Sequence, residues 1–265
     1  MTERAGYVRE KGALSLWDKK ASPVFWQEHW HQLTDKELRH ALRPTKYIWP
    51  SLRRILLKWL PKEGVVLDAG CGIGHMVQRL RSNGLSCIGL DYAVPSLIRS
   101  KSICPDLLFI GGDLMNLPFA DDIFAGILSI GVLEHFEHGP GVPLREISRV
   151  LKPGGVVCLS VPFENKWRRN IPTISENEAV SRGLEFYQLY FKPSDLRIEV
   201  EKVGLSWLDT FSMYDVFKGF YEHTRWFKKI TRLIPKSKYW SFLLDYIPIL
   251  SEIGGHMIVV VAVKK

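Results

Sequence analysis

The sequence predicts an α/β protein built on a doubly wound, mostly parallel sheet of seven strands, preceded by a helical cover and interrupted late by a helical cap. Three observations carry this prediction. From residue 65 the chain alternates short apolar runs with amphipathic stretches, a glycine-rich turn follows the first run, and two more strand-like runs stand beyond residue 200. Repeated alternation of strand and helix implies parallel strands covered on both faces.

Residues 1–60 read as the cover. No β-like alternation is evident in residues 1–50, whereas Trp17, Phe25, Trp26, Trp30 and Trp49 suit helices that bury aromatic faces. Ser51 to Leu60 reads as a short helix capped by Ser51, with Leu52, Ile55, Leu56 and Trp59 on one face and Pro61 and Gly64 stopping it. Five candidate strands follow at Val65–Leu67, Cys87–Leu90, Leu107–Ile110, Ile127–Ile130 and Val156–Val161. Between them lie helical stretches around Met76–Arg81, Pro95–Ser100 and Leu144–Leu151. A helix from Ser194 to Val203, with Ser194 as its cap, and strands at Leu205–Thr210 and His256–Val263 complete the set. The core therefore comprises residues 61–211 and 256–265.

Two segments break the rhythm, Phe163 to Lys192 and Ser212 to Gly255. The second, taken as the cap at 212–255, is basic and aromatic: eleven aromatic residues stand between Phe211 and Tyr246, and Lys218 to Lys238 holds seven Lys or Arg against one acid, Glu222. Its rings cluster with Ile230, Leu233, Ile234, Leu243, Leu244 and Ile247, as in amphipathic helices that cover a site or touch an anionic membrane surface.

Composition excludes several classes. Hydrophobic residues make up 46% of the chain and charged residues 24%, the balance of a folded globular protein and not of a disordered one. The 36 basic and 28 acidic side chains leave a formal charge of +8, which favours anionic partners without choosing among them. Cys71, Cys87, Cys104 and Cys158 form no C-x-x-C pair, arguing against a zinc site or disulfide framework and suiting a reducing, cytoplasmic setting. Met1 to Lys20 is polar, unlike a signal peptide, and the longest apolar run, near Phe242 to Leu250, is interrupted by Asp245 and Pro248.

The most informative string is Val65-Val66-Leu67-Asp68-Ala69-Gly70-Cys71-Gly72-Ile73-Gly74-His75. A buried strand ends in an acid, glycines turn the chain, and a helix begins, which brings backbone close to a ligand beyond the carboxyl ends of the strands. A dinucleotide fingerprint counted from Gly70 would need Gly or Ala where His75 stands, and no G-K-[ST] follows for a P-loop.

VLDAGCGIG resembles the first motif of class I S-adenosylmethionine-dependent methyltransferases, and further motifs follow in order. GLDYAVPSLI resembles the segment whose acid, here Asp91, holds the cofactor ribose hydroxyls. GGDLMNLPF resembles the next, where an acid, Asp113, meets the adenine amino group and the backbone of Leu114 meets the ring. ILSIGVLEHF resembles the fourth strand with its loop, placing Ile130 at the cofactor, and EISRVLKPGGVVCLSVP resembles the fifth strand with its preceding helix. The likeness covers roughly residues 60 to 165, with a weaker echo in YFKPSDLRIEVEKVGL. It implies a Rossmann-like methyltransferase fold and S-adenosylmethionine bound by Asp68, Gly70, Gly72, Gly74, Asp91, Tyr92, Asp113, Leu114 and Ile130. Asp68 either orients the turn or meets the methionine end; Tyr92 either packs or stacks on adenine. The family's F-D ahead of the fourth strand is Phe124-Ala125 here, with Asp121 and Asp122 just upstream.

Methyl transfer from a sulfonium is an in-line displacement, so the protein mainly positions the reactants and, for a hydroxyl acceptor, removes a proton. His135, just past the fourth strand, is the candidate base; the alternative is that it lines the pocket. His135 with His138, and His29 with His31, lack the third ligand of a metal site, so no metal is expected. SIGVLEHF replaces the N-P-P-Y-like string of amino-methylating relatives, which disfavours nucleic-acid bases as acceptors. The resemblance extends to enzymes that modify quinones, sugars and natural products. With the aromatic cap, it points to a small or lipid-linked organic acceptor, O-methylation ahead of C-methylation. An RNA or protein methyltransferase docking through the basic cap, and a cofactor-binding protein without turnover, are the alternatives.

Overall fold

The computed structural model describes residues 5–48, 50–212 and 255–265. In chain order the elements are β1 (Gly6–Glu10), β2 (Ala13–Asp18), α1 (Pro23–His31), α2 (Asp35–Ala41), α3 (Pro50–Trp59), β3 (Val65–Ala69), α4 (His75–Ser82), β4 (Ser86–Asp91) and α5 (Val94–Ile103). They continue with β5 (Phe109–Gly111), β6 (Phe124–Ile130), α6 (Gly141–Val150), β7 (Leu151–Pro162), α7 (Lys166–Arg169), α8 (Glu176–Ser181), β8 (Glu185–Tyr190), α9 (Pro193–Lys202), β9 (Leu205–Ser212) and β10 (Met257–Lys264).

The seven-stranded sheet runs β5-β4-β3-β6-β7-β10-β9. Its first five strands are parallel, and β10 lies antiparallel between β7 and β9. This is the sheet that the apolar runs predict. Its central strands are apolar on both faces because helices cover both: Leu67, Ile127, Leu159 and Val260 pack on one side, and Val66, Leu128, Cys158 and Val261 on the other. Strand order reverses between β3 and β6, which opens a crevice at their carboxyl ends.

The cover departs from expectation. Residues 6–18 form a β-hairpin, and β2 also pairs with β8, giving a second, antiparallel sheet of order β1-β2-β8. The hairpin turns at Lys11 and Gly12, both with positive φ (47° and 86°), the geometry that two-residue hairpins require. Alternation is lost because Tyr7 and Val8, neighbours on opposite faces, are both buried. Helical cover starts only at Pro23. Two caps also shift. The helix α3 begins at Pro50, so Ser51 lies inside it, and α9 begins at Pro193 behind Lys192, so Ser194 is not its cap. Proline suits the first helical position because its missing N–H has no partner to lose there. The segment from 163 to 192 supplies α7, α8 and β8 to the small sheet's side of the molecule. Apart from its two ends, the 212–255 cap lies outside the described residues.

Candidate functional site

At the crevice, β3 delivers the glycine turn and β4 delivers an acid to meet it. The N–H groups of Gly70 and Cys71 donate to the carbonyl of Leu90 at 2.8 and 2.9 Å. One oxygen of Asp91, Oδ2, accepts from the N–H of Gly72 at 2.8 Å, and Oδ1 accepts from the N–H of Ala93 at 2.8 Å. Asp91 therefore fixes the turn while keeping lone pairs free for a ligand. Glycine is required at two places by close approach: a Cβ at Gly70 would stand 2.5 Å from Val132, and one at Gly72 would stand 2.7 Å from Trp30, in backbone that already has positive φ.

These residues line a cavity of about 450 Å³, within the size range of small-molecule sites. Gly70, Gly72, Asp91, Tyr92, Asp113, Leu114, Ile130 and His135 all reach its wall. Asp68 and Gly74 are not among the lining residues: Asp68 is buried at the end of β3, and Gly74 has the ring of Phe109 where a Cβ would go. Asp113 accepts from the N–H of Met115 at 2.9 Å, and this local turn presents it at the rim. Asp121 and Asp122 lie away from the cavity, ion-paired at 2.8 Å to Arg149 and Lys264 respectively.

The opposite wall is aromatic. Trp26 and Trp30 of α1 line the cavity, with ring centroids 6.0 Å apart and nearly parallel planes. The Trp26 ring meets His135 edge-on at 5.0 Å, His135 meets Tyr187 at 5.1 Å, and Tyr187 meets Phe25 at 5.8 Å. Phe136, His75, Met115 and the segment Lys20–Pro23 complete the enclosure. Sequence reasoning saw these tryptophans as cover but did not assign them to the site. Their spacing at positions 26 and 30 places them one helical turn apart, a signal that gives a shared face but not its target.

Burial sets the charge of the site. The Asp68 carboxyl is pushed up to about 7, chiefly by burial and then by the charge of Asp91. Glu134 is raised to about 8 by burial. Asp91 is raised by burial, against the backbone hydrogen bonds from Ala93 and Gly72. His75 and His135 are lowered to about 4, again by burial first. His135 Nδ1 lies 2.8 Å from the carbonyl of Tyr187, which can only accept, so the proton sits on Nδ1 and the Nε2 lone pair is free. Among the described residues, Lys20 is the one Lys or Arg in the wall, against the acids Asp91 and Asp113. That donor set suits a ligand with positive charge and hydroxyl groups. Among the described residues no group of three or more His, Cys, Asp or Glu could hold a metal ion.

Residues 67–159 match the family described as methyltransferase domain. The tRNA (carboxymethyluridine(34)-5-O)-methyltransferase of Arabidopsis thaliana is 31% identical over 167 residues, which are 60% of this chain and 39% of that protein. The demethylmenaquinone methyltransferase of Paenarthrobacter aurescens is 36% identical over 107 residues, 39% of this chain and 42% of its own. The chain thus spans less than half the length of these two relatives. Among solved structures, a methyltransferase of Haloferax volcanii in complex with the Trm112 methyltransferase activator superposes with a TM-score of 0.60 at 19% identity, covering 90% of this chain and 96% of that one. This likeness is one of fold.

Proposed function

We propose that this chain, whose residues 67–159 match the methyltransferase-domain family, is a class I S-adenosylmethionine-dependent methyltransferase that transfers a methyl group to a hydroxyl of a small or lipid-linked organic acceptor seated against Trp26, His135 and Phe136. The observation that carries the reading is the continuity of one cavity: the Asp91 and Asp113 cradle and the His135 ring wall are parts of the same enclosure. S-adenosylmethionine, when bound, supplies a methyl group on a positively charged sulfur. Asp91 accepts hydrogen bonds from the ribose diol, Asp113 and the backbone of Leu114 receive the adenine, and Tyr92 packs beside it. The Gly70–Gly74 turn, lying under Trp30, holds the methionine end. The rings of Trp26 and Tyr187 orient His135 and keep water from the acceptor, so the two reactants meet already aligned.

His135 Nε2 takes the proton of the acceptor hydroxyl. Because burial holds the imidazole near 4 instead of its ordinary 6.5, the side chain is neutral and able to accept throughout the physiological range. Its low basicity fits a hydroxyl that is already acidic, or proton transfer concerted with methyl transfer. Two outcomes are expected. His135→Ala lowers the turnover rate about 10²–10⁴-fold while cofactor affinity stays near wild type. In the wild type at saturating S-adenosylmethionine, the limb due to His135 appears only as pH approaches about 4, and not near 6.5. A variant keeping most of its rate at pH 6 to 9 would reduce His135 to pocket lining.

A second reading, a nucleic-acid acceptor, draws support from the tRNA methyltransferase among the relatives and from the charge of +8. It requires binding to RNA whose logarithm falls linearly with the logarithm of salt concentration. Filter binding at two ionic strengths separates the readings, since a small acceptor imposes no such dependence. No described helix is long and apolar enough to cross a membrane. Contact with an anionic surface through the 212–255 cap is tested by sedimentation with anionic and neutral vesicles, and equal, negligible binding to both would remove it.

A further inference from the structure

Two buried glutamates are treated differently by this fold. Glu164, 1% exposed, is met by Arg9 at 2.8 Å and by Lys192 at 3.9 Å. Glu134, 3% exposed, has no ion-pair partner among the described residues, and its Oε2 has no hydrogen-bond partner. It stands on the short 3-10 turn Leu133–His135, between Val132 and His135, both of which line the cavity. Its Oε1 lies 3.5 Å from where a Cβ on Gly131 would stand, and Gly131 is itself a wall residue with a φ of +69°. Glu134 is not itself a lining residue; its carboxyl stands behind this stretch of the wall, beside Gly131. Among the described residues, Glu134 is felt electrostatically by the Tyr187 phenol on β8, and its chain neighbour His135 has its Nδ1 engaged by the Tyr187 carbonyl. Neither is a cation.

A buried carboxyl without a counter-charge is costly, and a ligand that brings the missing charge recovers that cost. Resting on the methyltransferase reading, we propose that Glu134 is the counter-charge for the sulfonium of the bound cofactor, and therefore the residue by which the site distinguishes S-adenosylmethionine from its demethylated product. The cofactor's ammonium is present before and after transfer, whereas the sulfonium becomes a neutral thioether. A carboxylate matched to the sulfonium thus favours the methyl donor and loosens the spent product; one matched to the ammonium does neither.

The free protein holds Glu134 protonated up to about pH 8, so binding of the sulfonium form draws a proton off. By linkage, affinity for S-adenosylmethionine rises with pH, at most about tenfold per unit, and levels off above the free-state value. Affinity for S-adenosylhomocysteine stays nearly flat through this residue, and the contribution of Asp68, the other buried carboxyl with an unpartnered oxygen, is separated by repeating the titrations on Asp68→Asn.

Isothermal titration of the full chain with each ligand, from pH 6 to 9 and in two buffers of different ionisation enthalpy, reads both affinity and protons released. In the wild type the ratio of the two affinities increases with pH. Glu134→Gln abolishes that increase, removes the excess proton release on S-adenosylmethionine, and weakens the methyl donor about ten- to hundredfold at pH 8.5. Its affinity for S-adenosylhomocysteine is retained, which also certifies a folded variant with an intact cavity. A ratio independent of pH in the wild type, a ratio unchanged by Glu134→Gln, or equal weakening of both ligands overturns the proposal. If the wild type binds neither ligand, the methyltransferase reading itself has failed, and this is a distinct result.

Discussion

Asp91→Ala lowers affinity for S-adenosylmethionine by about 1.5–3 kcal/mol, the scale of hydrogen bonds to a charged group. The expectation follows from where the acid stands. Asp91 ends β4 at the crevice, is 6% exposed, and already accepts from Gly72 and Ala93 at 2.8 Å each. A carboxylate offers about four lone-pair sites, so these backbone bonds leave acceptor capacity for a ribose diol. Alanine removes the ligand contacts and also frees the glycine turn, so both the ribose and methionine ends lose support. Asp91→Asn should fall in between, because the amide keeps one oxygen but presents an NH₂ group to a backbone donor. Calorimetry on the two variants reads the order directly. An alanine variant with wild-type affinity would refute the ribose role.

Arg168→Met destabilises the protein by about 3 kcal/mol or more, the cost of leaving several buried acceptors without a charged donor. Arg168 is fully buried. It donates to the carbonyls of Phe163 at 2.6 Å and His256 at 3.0 Å, meets His256 Nδ1 at 2.8 Å, and lies 4.5 Å from the centre of the Tyr190 ring. It thereby ties the end of β7 and the approach to β10 to β8 of the small sheet. Methionine fills much of the volume and satisfies none of the carbonyls. Urea denaturation should show a lower midpoint with an unchanged slope. As a contrast, Arg182→Ala breaks an exposed pair with Glu178 and should change stability by no more than about 0.5 kcal/mol. Equal effects in the two variants would remove Arg168 from this role. Since β8 carries the Tyr187 carbonyl that holds His135, partial loosening should also slow turnover.

The central sheet was legible because its strands are buried on both faces and read as apolar runs, and because each βα turn carries its own punctuation. Asp91 and Asp113 were legible as strand-end acids, and both reach the cavity. Asp68 and Gly74 share that motif yet stand behind the wall, since only part of a turn can face a ligand while the rest packs on Phe109 and the sheet. The small sheet was not legible. Its strands are short, its alternation is broken by the burial of both Tyr7 and Val8, and the partner of β2 is β8, far along the chain. Lys11-Gly12 was the local signal that could have announced the hairpin. The ring wall escaped for a different reason. Helix α1 buries none of its residues fully, so nothing in its pattern points inward, and only the tertiary fold brings Trp26 to His135. Glu134 carried no sequence signal at all, because an acid beside an ordinary apolar run gives no sign that no described cation meets it.

The crevice beyond β3 and β4 is the proposed S-adenosylmethionine site. Calorimetric titration of the full chain with S-adenosylmethionine tests it most directly, followed by displacement with S-adenosylhomocysteine and repetition on Asp91→Ala. Saturable binding of one cofactor per chain, full displacement by the product, and weakening in the variant are expected. Absence of binding, or binding untouched by the loss of Asp91, would contradict it.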